Sequence, residues 1–497
     1  MEKSQEEVQE PGKNDVLAVQ EAVVEDGGVN KDYAEYEYTA EEEKKVVRKM
    51  DLNIVSFVSA LYLLAFLDRG NIGNANTAGM SKDLGITNKQ YEWFLTIFYI
   101  SYILSMVTII LWKAFPPRYY APTVVILWGI VSTCCAAVTN WSGMMALRFF
   151  LGIFEAAFGP GVPYYLTFFY FRHEVTWRTG LFMAVAPLAS CFSGALAYGI
   201  TMHKEAIESW RVLFLVEGLP TIAVGFLGYF VMVNGPTECR FLSAHEKNIA
   251  VARLAKQTGG KVERSHKINF KEVFAAFTDP KALLPMVMYF GINVSFASLP
   301  VFMPAIVESL GYTSINAQGL TAPPYLFTTL CVLAAAWISD KYMQRGILII
   351  VLASVSAAGW LILALCHNNG VKYFAIFLAA GGIFPCVALT LSWLGNNQGT
   401  STRRGAGFVL VQAIGQCGPV LGTRLFPERD APLYHRGFFV SFGMSAMVAV
   451  AALLLRLYLS YENRKLDEKY GPVQDTVDAS DYTTASGEEN TNFRYVL

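Results

Sequence analysis

Four charged side chains lie where the surrounding sequence is otherwise apolar: Asp68 and Arg69 in AFLDRGNIGNA, and Arg148 and Glu155 in ALRFFLGIFEAAFGPG. Two carboxylates and two guanidiniums held away from water are suited to exchange. A carboxylate that takes a proton gives up its arginine, and the freed arginine can then bind another carboxylate through charge-assisted hydrogen bonds. Each charge deep in hydrocarbon costs roughly 2.5–3.5 kcal/mol on the insertion scale, so such residues line a bundle interior or a water-filled path. The plainer alternative is a local ion pair that fixes helix register.

The elements that position these groups follow from length. The uninterrupted apolar run Leu52–Leu67 is 16 residues, about 24 Å of helix, short of the roughly 30 Å hydrocarbon core. The helix must therefore continue through Asp68, Arg69, Asn71 and Asn74. Arg148 and Glu155 are seven residues apart, on one helical face but separated by about 10.5 Å of rise. Each needs a partner from another helix or a ligand, and an acid and a base on the first span facing the pair on the fourth is the simplest neutralisation. The cluster Gly159, Pro160, Gly161 and Pro163 predicts a loosened or kinked helix, or a close helix contact.

Composition sets the wider frame. Hydrophobic residues make up 54% of the 497 and charged residues 16%, against about 25% charged in soluble domains. The net charge of -1 gives no basic excess for nucleic acid. Residues 1–51, 235–281 and 460–497 together hold 28 of the 40 acids and 20 of the 39 bases. The two long stretches between them are poor in charge, which excludes a soluble multidomain enzyme and predicts an all-α integral membrane protein.

Apolar runs fall near 52–77, 91–112, 119–139, 143–166, 179–201 and 211–233, then near 282–307, 319–339, 346–366, 371–394, 404–424 and 437–459. That layout predicts 12 transmembrane helices in two six-helix pseudo-symmetric bundles, as in duplicated transporters. The expected divisions are a disordered acidic cytosolic tail over 1–50, bundles over 51–234 and 282–460, a cytosolic link with short helices over 235–281 and a disordered cytosolic tail over 461–497. Short loops on the two sides tie at eight Lys and Arg each. The tie is broken by Lys44, Lys45, Arg48 and Lys49 before the first span, by Arg464 and Lys465 after the last, and by the basic link, so both termini are expected inside.

Weaker signals complete the reading. Ser243 with Glu246 forms a capping-box pattern before one link helix, and Asn269 with Glu272 before a second. Glu217 is expected near the outer end of span 6, paired with Arg211. Trp93, Trp112, Trp141, Trp177, Trp210 and Trp337 read as interfacial anchors. The six histidines fall in expected loops or tails, and the eight cysteines form no CxxC. No metal centre or cofactor is expected.

With these residues in place the sequence resembles the major facilitator superfamily, and within it the anion:cation symporter family, most closely the fungal allantoate-permease-like branch. The marks are LDRGNIGNA in span 1, RFFLGIFEAAFGPG in span 4, WRVLFLVEGLPT entering span 6, LPVFMPAIVESLGYT in span 7, APPY opening span 8 and WISDKYMQRG after it. The resemblance implies the major facilitator fold, proton coupling at Asp68 and Glu155, and anion binding at Arg69 and Arg148. It also implies substrate-binding positions at Tyr102, Trp393 and Asn396, and a cytosolic gating loop with Asp340, Lys341 and Arg345. Departures are the span 2–3 loop LWKAFPPRYY, which lacks the usual acid, and span 5, which lacks the GPxxGG-like signature of drug:proton antiporters.

The function expected is proton-coupled symport of a small organic anion by alternating access. The implied partners are that substrate, protons and the lipid bilayer, with no nucleic acid, in a plasma-membrane monomer that is not an enzyme. An efflux carrier on the same fold remains open, as does a membrane nutrient sensor.

Overall fold

Backbone polar groups in hydrocarbon must be satisfied within their own segment, which leaves a helix as the outcome for each apolar run. The computed structural model describes residues 36–202, 207–258, 279–397, 401–471 and 494–497. Among these residues the regular elements are all helical. Ten helices are long and apolar enough to cross a membrane, including Ala40–Thr77, Trp141–Leu166, Ser209–Val231, Pro280–Ser309 and Asn369–Asn397. They correspond to spans 1, 3 to 10 and 12.

The other two spans are interrupted helices. Span 2 runs over Asn88–Ser105 and tightens into a 3-10 turn at Met106–Ile110 before Leu111–Ala114; Thr108 Oγ1 donates to the Ser105 carbonyl there (2.6 Å). Span 11 consists of Ser401–Gly415 and Gly418–Gly422, and Pro419 has no N–H with which to continue the ladder.

The spans pack as two repeats of one arrangement. Span 3 packs on 6, 2 on 4, 1 on 5 and 1 on 6, and in the second half 9 packs on 12, 8 on 10, 7 on 11 and 7 on 12. The halves meet through spans 5 and 8, 2 and 11, and 1 and 7. At the last of these, a Cβ on Gly73 would lie 2.9 Å from Val301 Cα, so only glycine lets the two backbones approach. Residues 36–50 and 461–471 share one end of the bundle, here the near end; the opposite end is the far end.

The tails are more ordered than their composition predicts. Within the 1–50 tail, expected as disordered, Ala40–Met50 is a helix capped by a Thr39–Glu42 box and continuous with span 1 through a π turn at Asp51–Val55. The reason is a partner: the link helix Ala244–Thr258, itself started by the Ser243–Glu246 box, lies against it. Fully buried Arg253 donates to Glu43 and to Glu174 of the span 5 entry, both at 2.7 Å. The tail expected as disordered over 461–497 likewise begins as helix, because span 12 runs over His435–Tyr470, and its residues 494–497 dock on the bundle. The second link helix expected near 269–278 lies outside the described residues.

Candidate functional site

Consecutive residues of a helix point about 100° apart, which gives Asp68 and Arg69 different surroundings. Asp68 faces into the first half and is fully buried. Its Oδ1 accepts from Ser132 Oγ of span 3 (2.5 Å) and its Oδ2 from Thr221 Oγ1 of span 6 (3.3 Å). Arg69 faces the space between the halves, where Nε and Nη2 both donate to Glu155 Oε2 (3.1 and 2.7 Å). Its guanidinium lies 4.8 Å from the Phe66 ring centroid and 5.2 Å from that of Tyr102, so aromatic faces hold its plane.

One of the two expected pairs therefore forms between spans 1 and 4, and the other does not. Arg148 is buried, its Nε and Nη2 have no hydrogen-bond partner, and its guanidinium lies 5.8 Å from the Phe214 ring. The reason is the two turns of helix that separate it from Glu155. Glu155 stands at the depth of Arg69, while Arg148 is displaced toward the far end and Asp68 turns to hydroxyls instead.

Glu217 departs from its expected place. Arg211 donates to Asp83 Oδ2 (2.9 Å) and to the carbonyls of Ala136 and Val138. Glu217, about 9 Å further along the helix, is buried in the first half. Its Oε1 accepts from Ser193 Oγ (3.3 Å), which itself accepts from Asn74 Nδ2 (2.8 Å), and its Oε2 has no partner. Asn71 is also buried with both amide atoms unpartnered. The signal that reveals Glu217 is the one that isolated Asp68, an acid within the apolar run LFLVEGLPTIAV. Among the described residues, the charged groups at this depth of the first half are thus three buried acids, Asp68, Glu155 and Glu217, with buried Arg148 and part-exposed Arg69.

A small cavity that opens to solvent lies between the halves. The first half contributes Tyr62, Arg69, Tyr99 and Tyr102, and the second half Asn293 and Gln412 among others. Among the described residues, Arg69 is the one charged side chain lining it. Tyr102, which the resemblance implied as a substrate-binding position, is among the residues on this wall. The amides of the second half carried no signal, because Asn and Gln in a single sequence are not costly enough to stand out.

Trp393 and Asn396 are not on this wall. Span 10 runs toward the near end, and they lie about 9 and 13.5 Å beyond Val387, which does line the cavity. Trp393 Nε1 donates to the Val496 carbonyl (2.7 Å). The Asn396 side-chain amide stands 3.3 Å from Arg345 Nη1 and Nη2. In the loop after span 8, Asp340 and Arg345 are 3.6 Å apart and Lys341 Nζ lies 4.8 Å from the Trp337 ring, all within the second half.

At the far end, polar ties cross between the halves. Arg424 Nη1 pairs with Glu92 Oε2 (2.9 Å), Arg424 Nε donates to Thr96 Oγ1 (3.1 Å), and the Thr96 and Thr423 hydroxyls are 3.2 Å apart. Gln318 adds a bond to the Asn74 carbonyl and accepts from Thr201 (2.9 Å). The far end is closed in this conformation, and sequence reading missed its lock because Glu92 and Arg424 sit at span ends where charge is ordinary. Two of the expected anchors, Trp112 and Trp210, are fully buried and donate to the Ala157 carbonyl (2.7 Å) and Asp83 (3.2 Å).

Chemically, the arrangement offers one cation on a cavity wall, held by one oxygen of an acid, with further acids behind it. The profile of the Major Facilitator Superfamily matches residues 58–423. An uncharacterised transporter of Schizosaccharomyces pombe is 32% identical over 92% of this chain and 90% of its own. The major facilitator-type transporter hxnP of Emericella nidulans is 31% identical over 92% and 94%. Among solved structures, the proton:xylose symporter XylE superposes with a TM-score of 0.64 at 14% identity, covering 84% of this chain and 96% of its own. The inward-facing, unoccupied bacterial homologue of the human lysosomal transporter Spinster gives 0.61 at 14%, covering 84% and 97%. These relatives are transporters and not enzymes, and the chain, a multi-pass membrane protein, belongs to the Major Facilitator Superfamily.

Proposed function

We propose that the protein is a proton-coupled symporter that imports a small organic anion, a carboxylate such as a vitamin or a ureide. It acts as a monomer of the plasma membrane in the anion:cation symporter family, allantoate-permease-like branch, with the near end cytosolic. The observation that carries this reading is Arg69, the single charged residue on the cavity wall among the described residues, engaged through two N–H groups by one oxygen of Glu155. A proton on Glu155 removes its charge and releases those donors, and a substrate carboxylate takes them over. Loss of that proton on the cytosolic side restores the pair and displaces the substrate.

The rest of the buried set supports proton uptake. Three acids against two bases leave a net negative charge when all are ionised, and burying net charge in a dry bundle is costly. Closing the site around an anion therefore favours a carboxyl that has taken a proton. Asp68, held by two hydroxyls and no arginine, is suited to that role beside Glu155. Arg148, with two unpartnered nitrogens, offsets part of the acid charge in the first half. With the far end locked, the conformation is the one that faces the cytosol.

The test is uptake of labelled carboxylates into proteoliposomes with an inward proton gradient. Accumulation is expected for at least one acid and is lost in Asp68→Asn/Glu155→Gln. No accumulation of any carboxylate, or full retention in that double variant, overturns the reading. Loss of a loaded acid against such a gradient would make the protein an exporter.

A further inference from the structure

Two asparagines at the near end of the second half, Asn397 and Asn463, make paired contacts with the backbone of a distant segment. Asn463 Oδ1 accepts from the Tyr495 N–H (2.8 Å) while its Nδ2 donates to the Tyr495 carbonyl (2.9 Å). Asn397 repeats this with the next residue, accepting from the Val496 N–H (2.8 Å) and donating to the Val496 carbonyl (2.9 Å). Trp393 Nε1 adds a second donor to that carbonyl (2.7 Å). A side-chain amide presents a donor and an acceptor side by side, as a neighbouring strand does, so two asparagines in register read an extended backbone without regard to its side chains.

Side-chain contacts then supply selectivity. Tyr495 is buried, and its hydroxyl accepts from Lys281 Nζ at the start of span 7 (2.8 Å). Arg494 Nε pairs with Asp467 Oδ1 (2.7 Å) and its Nη2 donates to the Gly471 carbonyl (2.6 Å). Leu497 packs on the hydrophobic core of the second half. The groups that grip the segment come from spans 7, 10 and 12, and all lie at the end where substrate is released in the function proposed above.

From this geometry we infer that the near end of the second half carries a peptide-binding site, built from Asn397, Asn463, Trp393, Lys281 and Asp467, whose ligand is the segment Arg494–Leu497 of the same chain. It recognises an extended backbone with a basic residue, a tyrosine and two aliphatic residues in order. The inference is independent of substrate and of proton coupling. The segment follows span 12 in the same chain.

The experiment uses detergent-purified protein lacking residues 494–497 and a fluorescent synthetic peptide of residues 491–497, read by anisotropy. Saturable binding is expected, at least tenfold weaker to the full chain, whose site is filled. Asn397→Ala/Asn463→Ala in the shortened chain, and Tyr495→Ala in the peptide, are each expected to weaken binding at least tenfold. Thermal unfolding and uptake verify that the double variant is folded. If it unfolds, the peptide variant and the full-chain comparison carry the test. Absence of binding to the shortened chain, or equal binding by the full chain, overturns the inference, as does indifference to Tyr495→Ala.

Discussion

Arg69 holds Glu155 through two N–H groups on one oxygen, a geometry that an ammonium cannot copy. Arg69→Lys is therefore expected to raise the KM for the transported anion about tenfold or more, the equivalent of losing one charge-assisted bond of roughly 1.4 kcal/mol or above. Glu155→Gln removes the titrating group but keeps its shape. Accumulation driven by a proton gradient should vanish in that variant, while exchange of labelled for unlabelled anion persists, a split that initial-rate and counterflow assays read separately. Asn396→Ala should leave KM unchanged, since the residue stands beside Arg345 and away from the cavity. At this scale the costly residues were legible and their partners were not. A carboxylate within an apolar run announces itself by its insertion cost, but that cost does not say whether an arginine, as for Glu155, or a pair of hydroxyls, as for Asp68, will meet it.

The far-end lock belongs to the scale of elements, because it joins span 2 to span 11. Glu92→Gln with Arg424→Ala removes a half-exposed ion pair worth roughly 0.2–1 kcal/mol, so the closed far end should become up to about fivefold less populated. Gly73→Val acts on the same closure by wedging span 1 from Val301, and its effect should be larger. Distances between spin labels on far-end loops of the two halves measure both. At the near end, Arg253→Ala removes a fully buried guanidinium and leaves Glu43 and Glu174 without their shared base. A loss of about 2 kcal/mol or more is expected, seen as a lowered Tm.

The leading helix has its own pH response. Its cap holds the exposed Glu42 carboxyl down at about 2, first through the Thr39 amide and hydroxyl and then through His245. A depressed carboxyl stabilises the fold above its unfolded value near 4.5 and loses that contribution as pH falls from there toward 2. Protection of the residue 41–43 amides against exchange, relative to free amides at the same pH, should fall over that window in the native protein and already be low at neutral pH in Thr39→Ala.

For the whole molecule, the proposed symport of a monoanion, run with protons on both Glu155 and Asp68, moves one net positive charge inward. Each 100 mV of inside-negative potential then adds about 2.3 kcal/mol, close to a fiftyfold gain in accumulation ratio. A potassium diffusion potential imposed on proteoliposomes should raise uptake accordingly, whereas an electroneutral cycle would show none.

The amino-acid sequence by itself determined the class of molecule and the number of spans, because twelve apolar runs and the clustering of charge in tails and link leave no soluble alternative. It also isolated Asp68, Arg69, Arg148 and Glu155, since the price of a charge in hydrocarbon is a local property of the chain. Only the tertiary structure decided that Arg69 alone among them meets the cavity, that Glu217 joins the acids, and that Trp393 and Asn396 serve the near end. The physical reason is angular and axial. A step of one residue turns a side chain by 100°, and a few turns of helix carry it 9 Å or more along the bundle. Which neighbour waits there depends on how spans far apart in sequence pack together.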